Sequence, residues 1–422
     1  MTFPDLFWNR AGRLRSIWRL LVFTVVYLFV LNAAFLLLQF GLAFVLRPET
    51  YRWLLVESSW AFLVQSVMLF TTAALVGWGC GLGLEDLPWR ALGWAPHRGW
   101  ARDLLLGALL GALGIGVAFT VGGLCGGYRL SFNGAPGADG AAAHWLLVAR
   151  TLAVSGFVFL LGAAAEEMLF RGYPFQTLLR SWPVWAALAP TSIPFALVHL
   201  GNPNVVPGFT AANTALAGAW LAVAYWRTRS LWFPLGLHWG WNWAQGAVLG
   251  SPVSGITDLT PDPLLRFSDA GPAWLGGGTY GIEGGAACTL ALLLSTAFVW
   301  RTRLVSASPE LRHFTDRENP NPGAGRPASV VPRSEDDART RVHLIYLRPG
   351  GMVLSKKPYA DWREIQDEHA DYMTSLGPFD EDELLEFLSG EYGDDDGKWG
   401  FTRAEIRRFM ESTAAILETE NP

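Results

Sequence analysis

The sequence predicts an all-α polytopic membrane protein of about eight transmembrane helices, followed by a small cytosolic α+β appendage at its C-terminal end. Three observations carry this prediction. Hydrophobic residues are 51% and charged residues only 16% of the 422-residue chain, with 21 Trp to act as interface anchors. Mainly apolar stretches of about 20 residues, the length that crosses a bilayer, recur up to about residue 300. Beyond about residue 305 the composition shifts to Pro, Gly and charged residues. The formal net charge of −5 offers no basic face for nucleic acid, and none is expected as a partner.

The chain opens MTFPDLFWNRAGRLRSIWRLL, an Arg-rich flank ahead of an apolar run over about 17–46. That run is too long for a signal-peptide core and lacks a small-residue cleavage site, so it reads as an uncleaved first span. Further spans centre near 60–82, 103–125, 147–170, 184–200, 208–226, 231–250 and 284–301. Arginine sets the orientation. Arg10, Arg13, Arg15 and Arg19 precede the first span, and Arg90, Arg98 and Arg102 lie between the second and third. Arg171 and Arg180 follow the fourth, Arg227 and Arg229 the sixth, and Arg301 and Arg303 the eighth. These loops and both termini are expected in the cytoplasm, with the Gly/Pro-rich loops SFNGAPGADGAAAHW and 251–285 on the other side. Cys80, Cys125 and Cys288 lie in or beside separate apolar segments without metal-type spacing, and read as buried small residues.

The transmembrane domain is thus expected over 1–304. Residues 305–341, including DRENPNPGAGRPASVVPRSEDDARTR, have the composition of a disordered linker. Residues 342–422 are expected to fold again as an acidic cytosolic domain, with 18 acidic and 8 basic residues and all three lysines of the chain. VHLIYLR, PGG and MVLSK read as a hairpin, and WREIQDEHADYM, DELLEFL and AEIRRFMESTAAIL as helices. DDDGKWGFTRAE departs from a calcium loop, because Trp399 takes the glycine position and Lys398 the fifth when Glu405 is the twelfth ligand. A cytosolic protein partner is the expected use of this domain.

Three polar groups interrupt the apolar stretches, and a buried ionisable side chain is costly unless it pairs or lines a wet cavity. In AAAEEMLFRG, Glu167 and Arg171 are four apart and share a helix face, so they can neutralise one another. Glu166 is turned about 100° away and is left free to act as a base on water. In FALVHLG, Phe195 and His199 are one turn apart, and in GLHWGWNW so are His238 and Asn242. An imidazole and a carboxamide are suitable donors to an oxyanion forming on a peptide carbonyl. Each group alone has a plainer reading: glutamates at a helix end, a hydrogen-bonded core histidine, and a Trp239, Trp241, Trp243 interface belt. A straight helix from Pro183 would carry His199 about 24 Å along its axis, away from Glu166. Pro183, Pro190 and Pro194 are expected to break that segment and restore a common depth.

The ordered set EExxxR, FxxxH and HxxxN, each on its own segment over about 145–250, resembles the CPBP family of CAAX proteases and bacteriocin-processing enzymes, lysostaphin resistance protein A among them. GGGTYGIEGG before the last span looks like its bacterial members, so a bacterial plasma membrane is the expected setting. The resemblance implies an intramembrane endopeptidase of eight helices with a cavity open to the cytoplasmic leaflet. It assigns water activation to Glu166 and His199, oxyanion stabilisation to His238 and Asn242, and support to Glu167, Arg171 and Phe195. The family is described both as metal-dependent and as using a glutamate-activated water. Glu166, His199 and His238 offer a two-His, one-Glu set for zinc, but none of the histidines has HExxH spacing and Asn is a poor zinc ligand, so the reading taken is metal-free with zinc as the alternative cofactor.

The expected partners are the lipid bilayer and a membrane-associated or lipidated peptide or protein substrate. A catalytically silent scaffold that keeps the polar cluster for packing is the competing function. A proton-coupled transporter is disfavoured because no inverted repeat is visible. Glu166 discriminates among them, since packing has no need of it once Glu167 has Arg171. The chain ends ETENP, which is not a prenylation signal of its own.

Overall fold

The structure is a computed structural model that describes residues 6–9, 13–57, 59–134, 140–206, 208–307, 311–312, 340–347, 350–359, 362–369 and 371–419. Most of the linker expected over 305–341 lies outside these residues. The chain divides into two compact units, Met1–Pro327 and Ala328–Pro422. Leaving out helical segments of five residues or fewer, the first unit runs α1 (Ser16–Val45), α2 (Ser59–Glu85), α3 (Trp100–Leu124), β1 (Tyr128–Phe132), α4 (Ala141–Arg171) and α5 (Tyr173–Leu179). It continues α6 (Val184–His199), α7 (Phe209–Thr228), α8 (Trp232–Trp243), β2 (Leu265–Asp269) and α9 (Ala286–Arg301).

A helix occupies each of the eight apolar stretches, yet only four are long and apolar enough to cross a membrane among the described residues. They are Ser16–Val45, Trp60–Glu85, Trp100–Leu124 and Ala141–Leu179, the last joining α4 and α5. The protein is therefore a multi-pass integral membrane protein, and the expected count of eight spans is met by four. The rest fall short for visible reasons. The α6 and α9 helices have 16 residues each, about 24 Å at 1.5 Å per residue, against a hydrocarbon core of about 30 Å. The α8 helix has 12 residues, and α7 is diluted by Thr210, Asn213 and Thr214.

Close backbone contact holds the short helices in place. The α3 helix presents Gly107 and Gly111 to Gly236 and Gly240 of α8, a pair of G-x-x-x-G faces. A Cβ at Gly111 would lie 2.1 Å from the Leu237 carbonyl oxygen, and one at Gly240 2.0 Å from that of Ala108, so neither helix tolerates a side chain there. His238 and Asn242 stand two residues on from Gly236 and Gly240, about 200° around the helix, so this contact turns them away from α3. One buried cluster joins α3, α7, α8 and α9 through Ile115, Trp220, Leu237, Trp241 and Ala291. A second joins α1, α2, α4, α5 and α7 through Phe23, Ala73, Met168, Tyr173 and Tyr225. The β1 and β2 strands pair antiparallel, Tyr128 opposite Asp269, in or beside the two Gly/Pro-rich loops. Tyr128, Leu130 and Phe132 alternate with polar residues at the two-residue period of a strand, and Tyr128 packs on Phe119 and Phe267.

The second unit contains β3 (Val342–Leu347), β4 (Met352–Ser355), α10 (Trp362–Glu368), β5 (Tyr372–Phe379), α11 (Glu381–Tyr392), α12 (Arg403–Glu411) and β6 (Ile416–Glu418). The strands form one antiparallel sheet in the order β5-β3-β4-β6, with the expected hairpin at its centre. Two expected helices end early, because Tyr372 and Met373 enter β5 and Ile416 and Leu417 enter β6. Capping boxes start α11 at Asp380 with Glu383, and α12 at Thr402 with Glu405. Glu405 is therefore used as a cap, consistent with the departure of DDDGKWGFTRAE from a calcium loop. Leu344, Leu354, Leu388, Trp399 and Ile406 fill the core of this unit.

Candidate active site

Glu166 and Glu167 stand little more than one turn before the end of α4, and the structure gives them different surroundings. Glu167 is fully buried, and its Oε1 accepts from Arg171 Nη1 at 3.0 Å and from His238 Nδ1 at 2.9 Å. Arg171 Nη2 donates to the Gly218 carbonyl at 2.9 Å, which ties α4 to α7. The Arg171 guanidinium also lies 4.5 Å from the centre of the Phe195 ring. The expected Glu167–Arg171 pair is present, and the bond from His238 is an addition that helical angles within one segment cannot reveal.

Glu166 faces the other way. Its Oε2 lies 3.7 Å from His238 Nε2 and 3.8 Å from His199 Nε2, beyond direct hydrogen-bonding distance, and has no hydrogen-bond partner among the described residues. His199 reaches this depth because the chain runs 13 residues past Glu166, to Leu179, before α6 returns. That is about 20 Å out against about 24 Å back at 1.5 Å per residue. The expected proline break does not occur, since the helix stays continuous through Pro190 and Pro194; the chain turns at Gly172 between α4 and α5 instead.

Each imidazole is oriented by its other nitrogen. His199 Nδ1 donates to the Phe195 carbonyl at 2.7 Å, so in the neutral ring Nε2 carries the lone pair towards Glu166. His238 Nδ1 faces Glu167, which again leaves Nε2 towards Glu166. The Phe195 ring packs 4.6 Å from the His199 ring and 6.2 Å from that of His238, centre to centre. Three of the four tryptophans of α8 bridge within the protein: Trp239 and Trp243 donate to the Gly156 and Leu152 carbonyls of α4, and Trp241 donates to Glu283. They fix α8 against its neighbours, and the interface-belt reading gives way.

Glu166, Phe195, His199, His238 and Asn242 line one cavity of about 200 Å³. Its apolar lining includes Phe62, Phe159, Trp220 and Leu292, and its further polar lining Asn202, Asn213, Ser254 and Glu283. The sequence reading singled out none of these last four, although GGGTYGIEGG contains Glu283. Among the described residues no group of three or more His, Cys, Asp or Glu is arranged to hold a metal ion. The 3.7 and 3.8 Å separations exceed the about 3.3 Å between neighbouring ligands that tetrahedral zinc sets. As they stand, Glu166, His199 and His238 do not fit zinc.

Comparison with curated proteins and with solved structures gives no match. The model of the Rce1-like family, type II CAAX prenyl endopeptidases, matches residues 148–244. That stretch starts within α4 and ends just past Asn242, so it contains all seven motif residues. The membrane region of this chain thus carries an Rce1-like domain over residues 148–244, consistent with a CPBP family intramembrane protease.

Proposed function

We propose that this protein hydrolyses a peptide bond in a membrane-associated or lipidated substrate, using a water activated by Glu166 and His199. The Rce1-like domain supports a protease of the CAAX endopeptidase kind in general. The observation that carries the finer reading is the contrast between adjacent carboxylates. Glu167 is fully buried with its Oε1 held by Arg171 and His238, whereas Glu166 is 30% exposed on a cavity and faces both imidazoles at 3.7 and 3.8 Å. A scaffold has no need of a second carboxylate turned onto a cavity, since Glu167 already pairs Arg171.

In this mechanism water adds through oxygen to the scissile carbonyl carbon as its proton passes to Glu166, with His199 Nε2 accepting a hydrogen bond from the same water. The carbonyl π electrons move to oxygen. His238 Nε2–H and the Asn242 carboxamide donate to that oxyanion, and His238 acts in its doubly protonated form, which together with Arg171 offsets the two charges of Glu166 and Glu167. Collapse re-forms the carbonyl and breaks the C–N bond, and the proton held by Glu166 passes to the leaving amine. No step is routed through a metal. The arginine distribution supports an orientation with both termini in the cytoplasm, and GGGTYGIEGG supports a bacterial plasma membrane. A cytosolic partner is assigned to the acidic residues 342–422.

The test is cleavage by full-length protein in liposomes of two probes, a peptide with a farnesylated CAAX end and an unprenylated peptide anchored by a transmembrane helix, with products identified by mass spectrometry. A single cut in either, absent with Glu166→Gln, is expected. Intact probes in both arms would overturn the proposal.

A further inference from the structure

We infer that Glu283 is a positioning residue whose carboxylate latches α8 to the segment 251–256 and so holds Asn242 and His199 in place. This rests on the catalytic reading above. Glu283 stands just ahead of α9, half-buried in the wall of the same cavity. Its Oε1 accepts from Trp241 Nε1 at 3.2 Å. Its Oε2 accepts from the Ser254 amide at 2.6 Å and from Ser254 Oγ at 3.0 Å. Three donors from two distant parts of the chain therefore converge on one carboxylate.

Each donor leads to a catalytic group. Trp241 is the residue before Asn242, and it packs on Trp220 with ring centres 5.4 Å apart. Ser254 lies in a segment tied on its other side to the residues that follow His199. Asn202 Nδ2 donates to the Ser254 carbonyl at 3.2 Å, and Asn204 Nδ2 to the Gly255 carbonyl at 3.3 Å. The fit is close enough that a Cβ at Gly255, where φ is +80°, would lie 2.0 Å from the Pro203 carbonyl oxygen. Glu283 is itself aimed by Asn213, whose Nδ2 donates to the Glu283 carbonyl at 2.7 Å and to that of Gly285 at 2.9 Å. An unbroken run of contacts thus links the oxyanion side of the site, through Glu283, to the water-activating side.

The latch requires an acceptor at both oxygens. Gln has one acceptor and one donor end, so Glu283→Gln sets an N–H against either Trp241 or Ser254. Glu283→Asp keeps both acceptors on a shorter stem.

The test measures hydrogen exchange of the 251–256 amides and cleavage kinetics on the farnesylated peptide, with full-length wild type, Glu283→Gln, Glu283→Asp, Trp241→Phe and the Glu283→Gln/Trp241→Phe double variant. Glu283→Gln is expected to speed exchange at 251–256 on the order of tenfold. It should also lower kcat on the order of 100-fold with KM nearly unchanged, the scale of a 1 Å misplacement. Glu283→Asp should recover part of both, and the double variant should lose less kcat than the product of the single losses. Unchanged exchange, or faster exchange with wild-type kcat, overturns the latch. If wild type does not cleave the peptide, the catalytic reading fails on that probe and exchange alone decides the latch, with unchanged exchange refuting it. If Glu283→Gln does not fold, Trp241→Phe, which leaves the carboxylate in place, must lower kcat with KM unchanged or the inference falls.

Discussion

The membrane region buries two carboxylate clusters, and they are built on opposite plans. At the end of α2, Glu85 is 2% exposed and fully engaged. Its Oε1 accepts from Arg19 at 2.7 Å and Arg180 Nε at 2.8 Å, and its Oε2 from Arg180 Nη2 at 2.8 Å. That bidentate fork joins α1, α2 and the end of α5. In α4, Glu167 is engaged through Oε1 by Arg171 and His238, and its neighbour Glu166 is 30% exposed on a cavity and faces two imidazoles too distant for direct hydrogen bonds. Buried charge is common to both clusters. A carboxylate turned onto a cavity between two imidazoles distinguishes the one assigned to chemistry.

Four measurements break or sharpen that contrast. The largest effect is expected of Glu167→Gln, which strands Arg171 and releases His238 Nδ1. Thermal or denaturant unfolding should show a loss of about 3–5 kcal/mol, and turnover per folded molecule should fall as well. Glu85→Gln strands Arg19 and Arg180, and a similar loss of about 3–5 kcal/mol is expected. Here, however, each folded molecule should turn over at the wild-type rate, and a specific loss of turnover would erase the distinction between the clusters.

Metal removal is expected to do little. Chelator followed by zinc should leave the activity of purified protein nearly constant, and stoichiometric zinc lost and regained together with activity would restore the two-His, one-Glu alternative. The smallest effect is expected of ending the chain at Arg303. The truncated protein should insert and cleave a short peptide, with changes confined to recruitment of a full-length substrate. A folded truncation unable to cleave even a short peptide would assign the C-terminal unit to the active site.

The sequence made the candidate site legible and the scaffold only in part. Glu166, His199, His238 and Asn242 stood out because polar residues in apolar stretches need a reason, and helical angles separated Glu166 from Glu167. The second partner of Glu167 was hidden, because a contact between α4 and α8 has no local periodicity to announce it. The G-x-x-x-G faces at Gly107, Gly111, Gly236 and Gly240 were present in the sequence as a packing signal and went unread. Glu283 was visible within a Gly-rich run, but its bonds to Trp241 and Ser254 depend on a tertiary fold that the run does not specify. Among the described residues only four of the eight expected spans meet the length of a membrane crossing, since α6, α8 and α9 are apolar yet short.

The central claim is that Glu166 performs chemistry while its neighbours hold the structure. Turnover of Glu166→Gln, counted per folded molecule in liposomes, tests this most directly, because the substitution removes a base without emptying space. Stability within about 0.5 kcal/mol of wild type, the range of a substitution outside the packed network, is expected together with a loss of turnover of about 100- to 10,000-fold. A variant that folds and cleaves at a rate comparable to wild type would contradict the account.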